Sequence, residues 1–149
     1  MTIELSGEQI ASKIAERFPD SVVTSNQNSV EVKPESLLQV ATFLKTSPDF
    51  ACDYLTSVTA VDYQDYFELI YQLTSLQHNH SLILKTRLYN RNEAVISSVI
   101  NLWRGADFQE REIRDLFGIK FDGHPNLKPI FLWEGFKGYP LRKDYLEWQ

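Results

Sequence analysis

The chain has very little sulfur, since its 149 residues include one cysteine, Cys52, and one methionine. A single cysteine cannot form an internal disulfide, which predicts a protein of a reducing compartment. It also excludes an iron–sulfur cluster held by this chain's own thiolates, because such clusters need several. We therefore expect Cys52 to be a buried structural thiol rather than a nucleophile or a metal ligand.

Long hydrophobic runs and strong positive charge are lacking too. The longest apolar-leaning stretch, residues 94–103, is about half as long as a membrane-spanning helix, and polar residues interrupt it. The amino terminus has no basic segment followed by an apolar run, so it does not resemble a secretory signal. The net charge of −5, without a basic stripe, argues against binding to nucleic acid.

Motifs for common cofactors are also missing from the sequence. Neither G-x-G-x-x-G nor G-x-x-x-x-G-K occurs, so there is no evident cradle for a dinucleotide or a nucleoside triphosphate. His78 and His80 lie close together in a predicted turn, but a metal site would need further ligands that the sequence does not obviously supply. We expect the chain to bind no metal, flavin or iron–sulfur cluster.

What remains is the composition of one globular domain, with 43% hydrophobic and 23% charged residues. Apolar residues at helical spacing predict a helix from Ser6 to Phe18, where Ser6 and Gln9 have the capping-box form. A second helix is predicted between Pro34 and Pro48. Further helical stripes predict a third helix that begins at Val95 and ends at Gly105, and a fourth from Asp107 to Gly118 with Asp107 and Glu110 as caps.

Elsewhere the apolar period is two residues, which is typical of strands. The predicted strands are Val22–Thr24, Val30–Val32, Tyr54–Val61, Phe67–Leu73 and Leu82–Tyr89. In the last of these, apolar residues alternate with more polar ones, so one face should pack against helices while the other meets water. The sequence therefore predicts an α+β fold: a single domain with a mainly antiparallel sheet, helices on one face, and the order αββαβββαα.

The end of the chain differs in composition from this core domain, which we place at residues 1–118. Residues 118–149 hold four of the six glycines, three of the six prolines and seven aromatic residues, without a sustained period. So much aromatic surface does not suit a solvated tail. We therefore predict that residues 119–149 form an extended arm that docks onto a partner protein.

Glu110, Glu112 and Asp115 form an acidic cluster in the predicted fourth helix. Paired carboxylates can act as general acid and base when burial separates their pKa values. On a helix, however, Glu110 faces Arg114 at the spacing of an ion pair, and Arg111 faces Asp115 in the same way. We expect structural ion pairs, and the alternative is a free-standing small-molecule enzyme that uses Glu112 and Asp115.

Three blocks in the last third of the chain occur together in one family. They are Glu110–Ile119 with Arg111, Glu112, Asp115 and Gly118; Phe121–Leu127 with Gly123, His124 and Pro125; and Pro140–Tyr145 with Leu141, Arg142, Lys143 and Asp144. Their order and spacing resemble the signature of the 30-kDa subunit, also called the C subunit, of complex I type NADH:quinone oxidoreductases.

The resemblance implies a non-catalytic structural subunit in the peripheral arm of a proton-translocating NADH dehydrogenase of the respiratory chain. Its partners would be the 49-kDa-type subunit, which lines the quinone site, and other peripheral-arm subunits. NAD(H), quinone and iron–sulfur clusters would be bound elsewhere in the complex and none by this chain. The expected location is the cytoplasmic face of the cell membrane, or the matrix side in a mitochondrion.

In this interpretation the acidic cluster and Arg111 fix the last helix, while Gly118 and Gly123 allow the turns that lead into the arm. His124, which Pro125 holds extended, suits a hydrogen bond to a partner protein. The last block suits charge pairs across the interface, by Arg142, Lys143 and Asp144.

Related segments begin the large subunits of some membrane-bound hydrogenases and formate hydrogenlyases. An equivalent subunit of such a complex is therefore an alternative. Three positions depart from the family pattern, at Lys128-Pro129, Tyr139 and Leu146. These departures leave the electron donor open among NADH, ferredoxin and F420.

Overall fold

In the computed structural model of the chain, the described residues are 2–125, 139, 141 and 142. Their helices and strands, in chain order, are β1 (Ile3–Glu4), α1 (Gly7–Arg17), β2 (Val22–Ser25), β3 (Val30–Val32), α2 (Leu37–Thr46), β4 (Tyr54–Asp62), β5 (Phe67–Ser75), β6 (His80–Leu88), β7 (Val95–Ser97), α3 (Ala106–Phe117) and β8 (Lys120–Asp122). The two helices and five strands predicted before residue 90 are confirmed, with ends that differ by a few residues. No helix among these residues is long and apolar enough to cross a membrane.

Six of the strands form one mixed sheet in the order β2-β3-β6-β5-β4, and the short β1 also pairs with β6. Strands β4, β5 and β6 form an antiparallel meander, and β2 pairs antiparallel with β3. Strand β3 lies parallel to β6. The prediction of an α+β domain with a mainly antiparallel sheet is therefore confirmed.

The two faces of the sheet differ as the alternation predicts. Along β5 the side chains of Phe67, Leu69, Tyr71 and Leu73 are buried, while Ile70 and Gln72 between them are partly exposed. The buried set belongs to one core with the apolar sides of the three helices. Each fully buried leucine or isoleucine contributes about 1.5–3 kcal/mol, so this core is the main source of stability.

The predicted third helix is wrong. Val95–Ser97 is strand β7, which pairs in parallel with β8, and residues 99–102 form a turn in which Val99 O accepts hydrogen bonds from Leu102 N and Trp103 N. A short apolar run suits a buried strand as well as a helix, and periodicity alone does not separate them. Here the pairing with β8, which lies far away in the sequence, decides for the strand.

The hydrophobic core continues past residue 118. Ile119 is fully buried, Phe121 is 2% exposed, and both belong to the same core as the helices. Strand β8 can form only against β7, so no local period marks it in the sequence. The predicted arm in residues 126–138, 140 and 143–149 lies outside the described residues.

The start of α1 depends on close backbone packing rather than on the predicted capping box. Ser6 precedes α1 but makes no side-chain capping hydrogen bond. Gly7 N instead donates to Gln27 O at 3.1 Å. A Cβ at Gly7 would lie 2.1 Å from Ser29 O and 2.3 Å from Asn26 O. The β2–β3 turn therefore leaves no room for a side chain at this position.

We expect Gly7→Ala to lower the free energy of unfolding by about 1–3 kcal/mol, because the turn backbone must shift to admit the methyl group. The matched control is Gly105→Ala, where φ is −60° and no other part of the described chain lies within 4 Å of the new Cβ. That variant should be neutral or more stable by up to about 1 kcal/mol. Urea titration of the three chains measures both effects, and equal stability of Gly7→Ala and wild type would contradict the close packing.

Candidate functional site around helix α3

Helix α3 carries the first signature block and is the centre of the candidate site. One side of the helix is buried, at Ala106, Glu110, Ile113 and Phe117, and packs against β4. The helix ends at Gly118, which has φ +80° and donates its N–H to Arg114 O at 2.9 Å. This left-handed ending favours glycine, so the predicted turn at Gly118 is confirmed. The turn predicted at Gly123 is also present, with φ +88°.

Glu110 is fully buried and holds the segment that follows β7. Its Oε1 accepts a hydrogen bond from Ser98 Oγ at 2.5 Å, and its Oε2 accepts one from Val99 N at 2.9 Å. Burial raises the pKa of Glu110, while the two hydrogen bonds oppose that rise. The predicted ion pair with Arg114 and the predicted capping role are therefore wrong, because the carboxylate points into the core.

The other two carboxylates of the cluster lie in different surroundings. Glu112 is exposed on the outer side of α3. Asp115 is fully buried, and Arg114 Nη1 lies 3.7 Å from its Oδ1. The guanidinium of Arg111 lies over the ring of Phe108, at 5.7 Å from the centroid. The two carboxylates therefore differ in their surroundings, since Glu112 faces solvent and Asp115 is buried near a guanidinium.

His124 contacts its own chain rather than facing outward. Its side chain is fully buried, and its Nε2 lies 3.1 Å from Asp107 Oδ1 and 3.4 Å from Asp107 O, at the start of α3. Pro125, which follows it, is exposed. One ring nitrogen of His124 thus contacts the chain itself, and the hydrogen bond to a partner protein stays a prediction.

The third block also reaches back to α3. Leu141 N donates to Leu116 O at 2.9 Å, and Arg142 Nε donates to Phe117 O at 2.6 Å. Arg142 was predicted to pair with charges on another protein, but the structure places its guanidinium against the core domain. Lys143 and Asp144 lie outside the described residues.

A buried ion pair that the sequence did not reveal completes this region. Asp62, 3% exposed at the end of β4, accepts two hydrogen bonds from the guanidinium of Arg91. The guanidiniums of Arg91 and Arg142 lie 4.5 Å and 5.0 Å from the centroid of the Phe67 ring. Because 29 residues separate Asp62 from Arg91, no local pattern links them.

The residues considered earlier for metal or thiol chemistry have structural contacts. Cys52 is fully buried, and burial raises the pKa of its thiol to about 12, so it is protonated at neutral pH. The imidazoles of His78 and His80 stack at 5.3 Å, and their Nε2 atoms bond to Pro48 O and Phe50 O. Within the described part of the chain, no three His, Cys, Asp or Glu side chains converge on a possible metal position.

We expect Glu110→Gln to lower the free energy of unfolding at neutral pH by about 1–3 kcal/mol. An amide offers one acceptor where Ser98 Oγ and Val99 N need two, so one donor is left unpaired. Glu112→Gln is the matched control and should change stability by less than about 0.5 kcal/mol, because its side chain is exposed. Equal losses in the two variants would contradict the structural role of Glu110.

The stability difference between the wild type and Glu110→Gln should also depend on pH. Because the folded-state pKa of Glu110 is raised, its contribution to stability is complete below the unfolded-state pKa and is lost as pH rises through the folded-state pKa. Wild type should therefore gain stability relative to Glu110→Gln as pH falls from about 7 to about 4. A constant difference over that range, measured by urea titration, would mean that Glu110 does not titrate as a buried acid.

Comparison with known sequences identifies the family of this chain. Residues 30–147 match the family described as respiratory-chain NADH dehydrogenase, 30 Kd subunit. The chain is 37% identical over 147 residues to the C subunit of the NADH-quinone oxidoreductase of Roseiflexus castenholzii, covering 94% of this chain and 84% of that protein. It is 40% identical over 141 residues to the C subunit of the same enzyme from Trichlorobacter lovleyi, covering 89% and 85%.

Solved structures show the same fold. A trypsin-resistant fragment of Nqo5 superposes with a TM-score of 0.61 and 27% identity, over 80% of this chain and 98% of the fragment. A chain of the membrane-bound sulfane sulfur reductase, an archaeal respiratory membrane complex, superposes with a TM-score of 0.73 over 95% of this chain and 86% of that chain. Its identity of 24% supports the fold alone. From the family match and the two bacterial relatives, the chain belongs to the family of the 30-kDa subunit of respiratory-chain NADH dehydrogenase, which is the C subunit of complex I.

Proposed function

We propose that this chain is a non-catalytic structural subunit of the peripheral arm of a complex I type NADH:quinone oxidoreductase, where it positions the 49-kDa-type subunit that lines the quinone site. The observation that carries this proposal is the division of the signature block on α3. Glu110 and Asp115 are buried in the chain's own core, whereas Glu112 on the same helix is exposed. The inner residues hold the helix, and the outer one is available to a partner.

The exposed surface near α3 is of a kind suited to docking. Phe108 is 58% exposed and Leu141 is 53% exposed, so both side chains are accessible to a partner protein. Glu112 lies on the same helix as Phe108, and Leu141 lies beside the helix end through its bond to Leu116. Apolar side chains next to a charge are typical of protein interfaces.

Positioning is a sufficient role for such a subunit, because electron transfer and quinone binding depend on the distances between neighbouring subunits. We further propose that the arm predicted at residues 119–149 docks onto a partner protein, and that the chain lies on the cytoplasmic face of the membrane, or the matrix side in a mitochondrion.

The second candidate is the equivalent subunit of a membrane-bound hydrogenase or formate hydrogenlyase. This candidate is retained because the chain shares its fold with a chain of the sulfane sulfur reductase complex, which is a different membrane complex. The proteins that co-purify with the tagged chain distinguish the two. An NADH-oxidising module supports complex I, and a nickel-hydrogenase subunit supports the alternative.

We also propose that NAD(H), quinone and iron–sulfur clusters are bound by other subunits. For the iron–sulfur clusters the single cysteine, Cys52, supports this, because such clusters need several thiolate ligands. The purified full chain should contain well under about 0.1 metal ion per molecule and show no visible absorption band. Elemental analysis and an absorption spectrum test this, and a reproducible one-to-one metal content would overturn it.

Charge reversal at the exposed carboxylate tests the docking role. Glu112→Arg should reduce co-purification with the 49-kDa-type subunit by at least about tenfold, because an interface rejects a wrong charge. The thermal midpoint should stay within about 2 °C of wild type, since the side chain is outside the core.

The matched control for this test is Glu8→Arg, which reverses an exposed carboxylate on α1. That variant should co-purify normally. If Glu112→Arg also co-purifies normally, α3 is not part of the interface. If both variants assemble and quinone reductase activity is lost only with Glu112→Arg, a catalytic role for Glu112 replaces the structural one.

A further inference from the structure

The last turn of α3 has carbonyl groups that the helix itself cannot satisfy. In any α-helix the final four C=O groups lack a partner within the helix. In this chain Leu116 O accepts from Leu141 N at 2.9 Å, and Phe117 O accepts from Arg142 Nε at 2.6 Å. Two of these carbonyls are therefore satisfied by the third signature block, more than twenty residues away in the sequence.

The guanidinium of Arg142 makes a second hydrogen bond and contacts two aromatic rings. Its Nη2 donates to Arg91 O at 2.9 Å, and its guanidinium lies over the rings of Phe67 and Tyr139, at 5.0 Å and 5.2 Å from their centroids. Its positive charge lies at the carboxyl end of α3, where the helix dipole favours a cation. The planar guanidinium bonds to two carbonyls while it stacks on aromatic rings. The ammonium group of lysine is not planar and cannot reproduce this combination.

The guanidinium of Arg142 lies on a well-packed part of the core domain. Phe67 is fully buried, and Phe117 packs against it edge to face, with 6.1 Å between the ring centroids. The bidentate pair with Asp62 holds Arg91, whose carbonyl receives the second bond. At Gly118 a Cβ would lie 2.7 Å from the ring of Tyr139, so the residue just before the third block also packs directly against the end of the helix. Strand β5, the segment at Arg91 and the end of α3 thus define one position for Arg142.

We propose that Arg142 is a positioning residue that fixes the third signature block, at Leu141 and Arg142, against the end of α3, and that docking to the partner protein needs this fixed position. The part that concerns the partner rests on the proposed function. Arg142 itself faces its own chain and acts on docking through the backbone of its neighbours.

The experiment uses the full-length chain and reads the contact without any partner. Hydrogen exchange of the Leu141 amide, followed by NMR, reports the bond to Leu116 O. Arg142→Lys and Arg142→Gln should each speed this exchange by about tenfold or more. Both variants lose the guanidinium bonds to Phe117 O and Arg91 O, which hold the neighbouring Leu141 in place. Exchange of the Tyr71 amide in the central strand β5 should stay within about twofold of wild type.

Co-purification with the co-expressed 49-kDa-type subunit is measured for the same variants. Both should lower it by about tenfold, including lysine, which keeps the charge. Arg104→Lys and Arg104→Gln are the matched controls, because Arg104 is exposed, and they should change neither readout. Asp144→Asn should lower co-purification while Leu141 stays protected, since it removes a charge that we expect to pair with the partner and leaves Arg142 in place.

The outcomes separate this inference from the proposed function. If Arg142→Lys assembles normally, Arg142 supplies only a charge and the inference is wrong. Unchanged exchange of Leu141 in both Arg142 variants would also overturn it. If the wild-type chain fails to join the 49-kDa-type subunit, the proposed function fails, yet the exchange of Leu141 still decides whether Arg142 fixes the block.

Discussion

The buried carboxylate of Glu110 is the interaction on which the candidate site depends. A charge removed from water is costly unless it is hydrogen-bonded, and here the hydroxyl of Ser98 and the amide of Val99 supply the two bonds. These bonds join α3 to the segment after β7. Ser98 N in turn donates to Asp122 O, which lies at the end of β8. One side chain thus connects the helix to both strands of the small sheet.

The position of α3 determines which signature residues face inward. Once Glu110 points into the core, the helical period places Ile113 and Phe117 beside it and turns Glu112 to solvent. It also brings the end of the helix to Phe67, where Arg142 can reach the last carbonyl. The signature is therefore of two kinds. Some of its residues build the domain, and others remain outside for contact with a partner.

Sequence patterns predicted the elements whose stabilising contacts are local or strictly periodic. The first two helices and the meander follow from apolar spacing, and the ending of α3 follows from Gly118. Prediction failed where a distant partner decides the outcome. Val95–Ser97 is a strand only because β8 pairs with it, and Phe121 is in the core for the same reason. Short strands have too few residues to show their period before they are paired.

For this protein the sequence by itself determined the α+β class, the single cysteine that forms no internal disulfide, and the resemblance to the 30-kDa family. Each depends on residue types and spacing along the chain. Only the tertiary structure decided the partners of the charged groups. Glu110 bonds to Ser98 rather than to Arg114, and Arg142 bonds to the end of α3. The physical reason is that a buried charge takes whichever donor or acceptor the packed core brings within about 3 Å, and this depends on how distant segments meet.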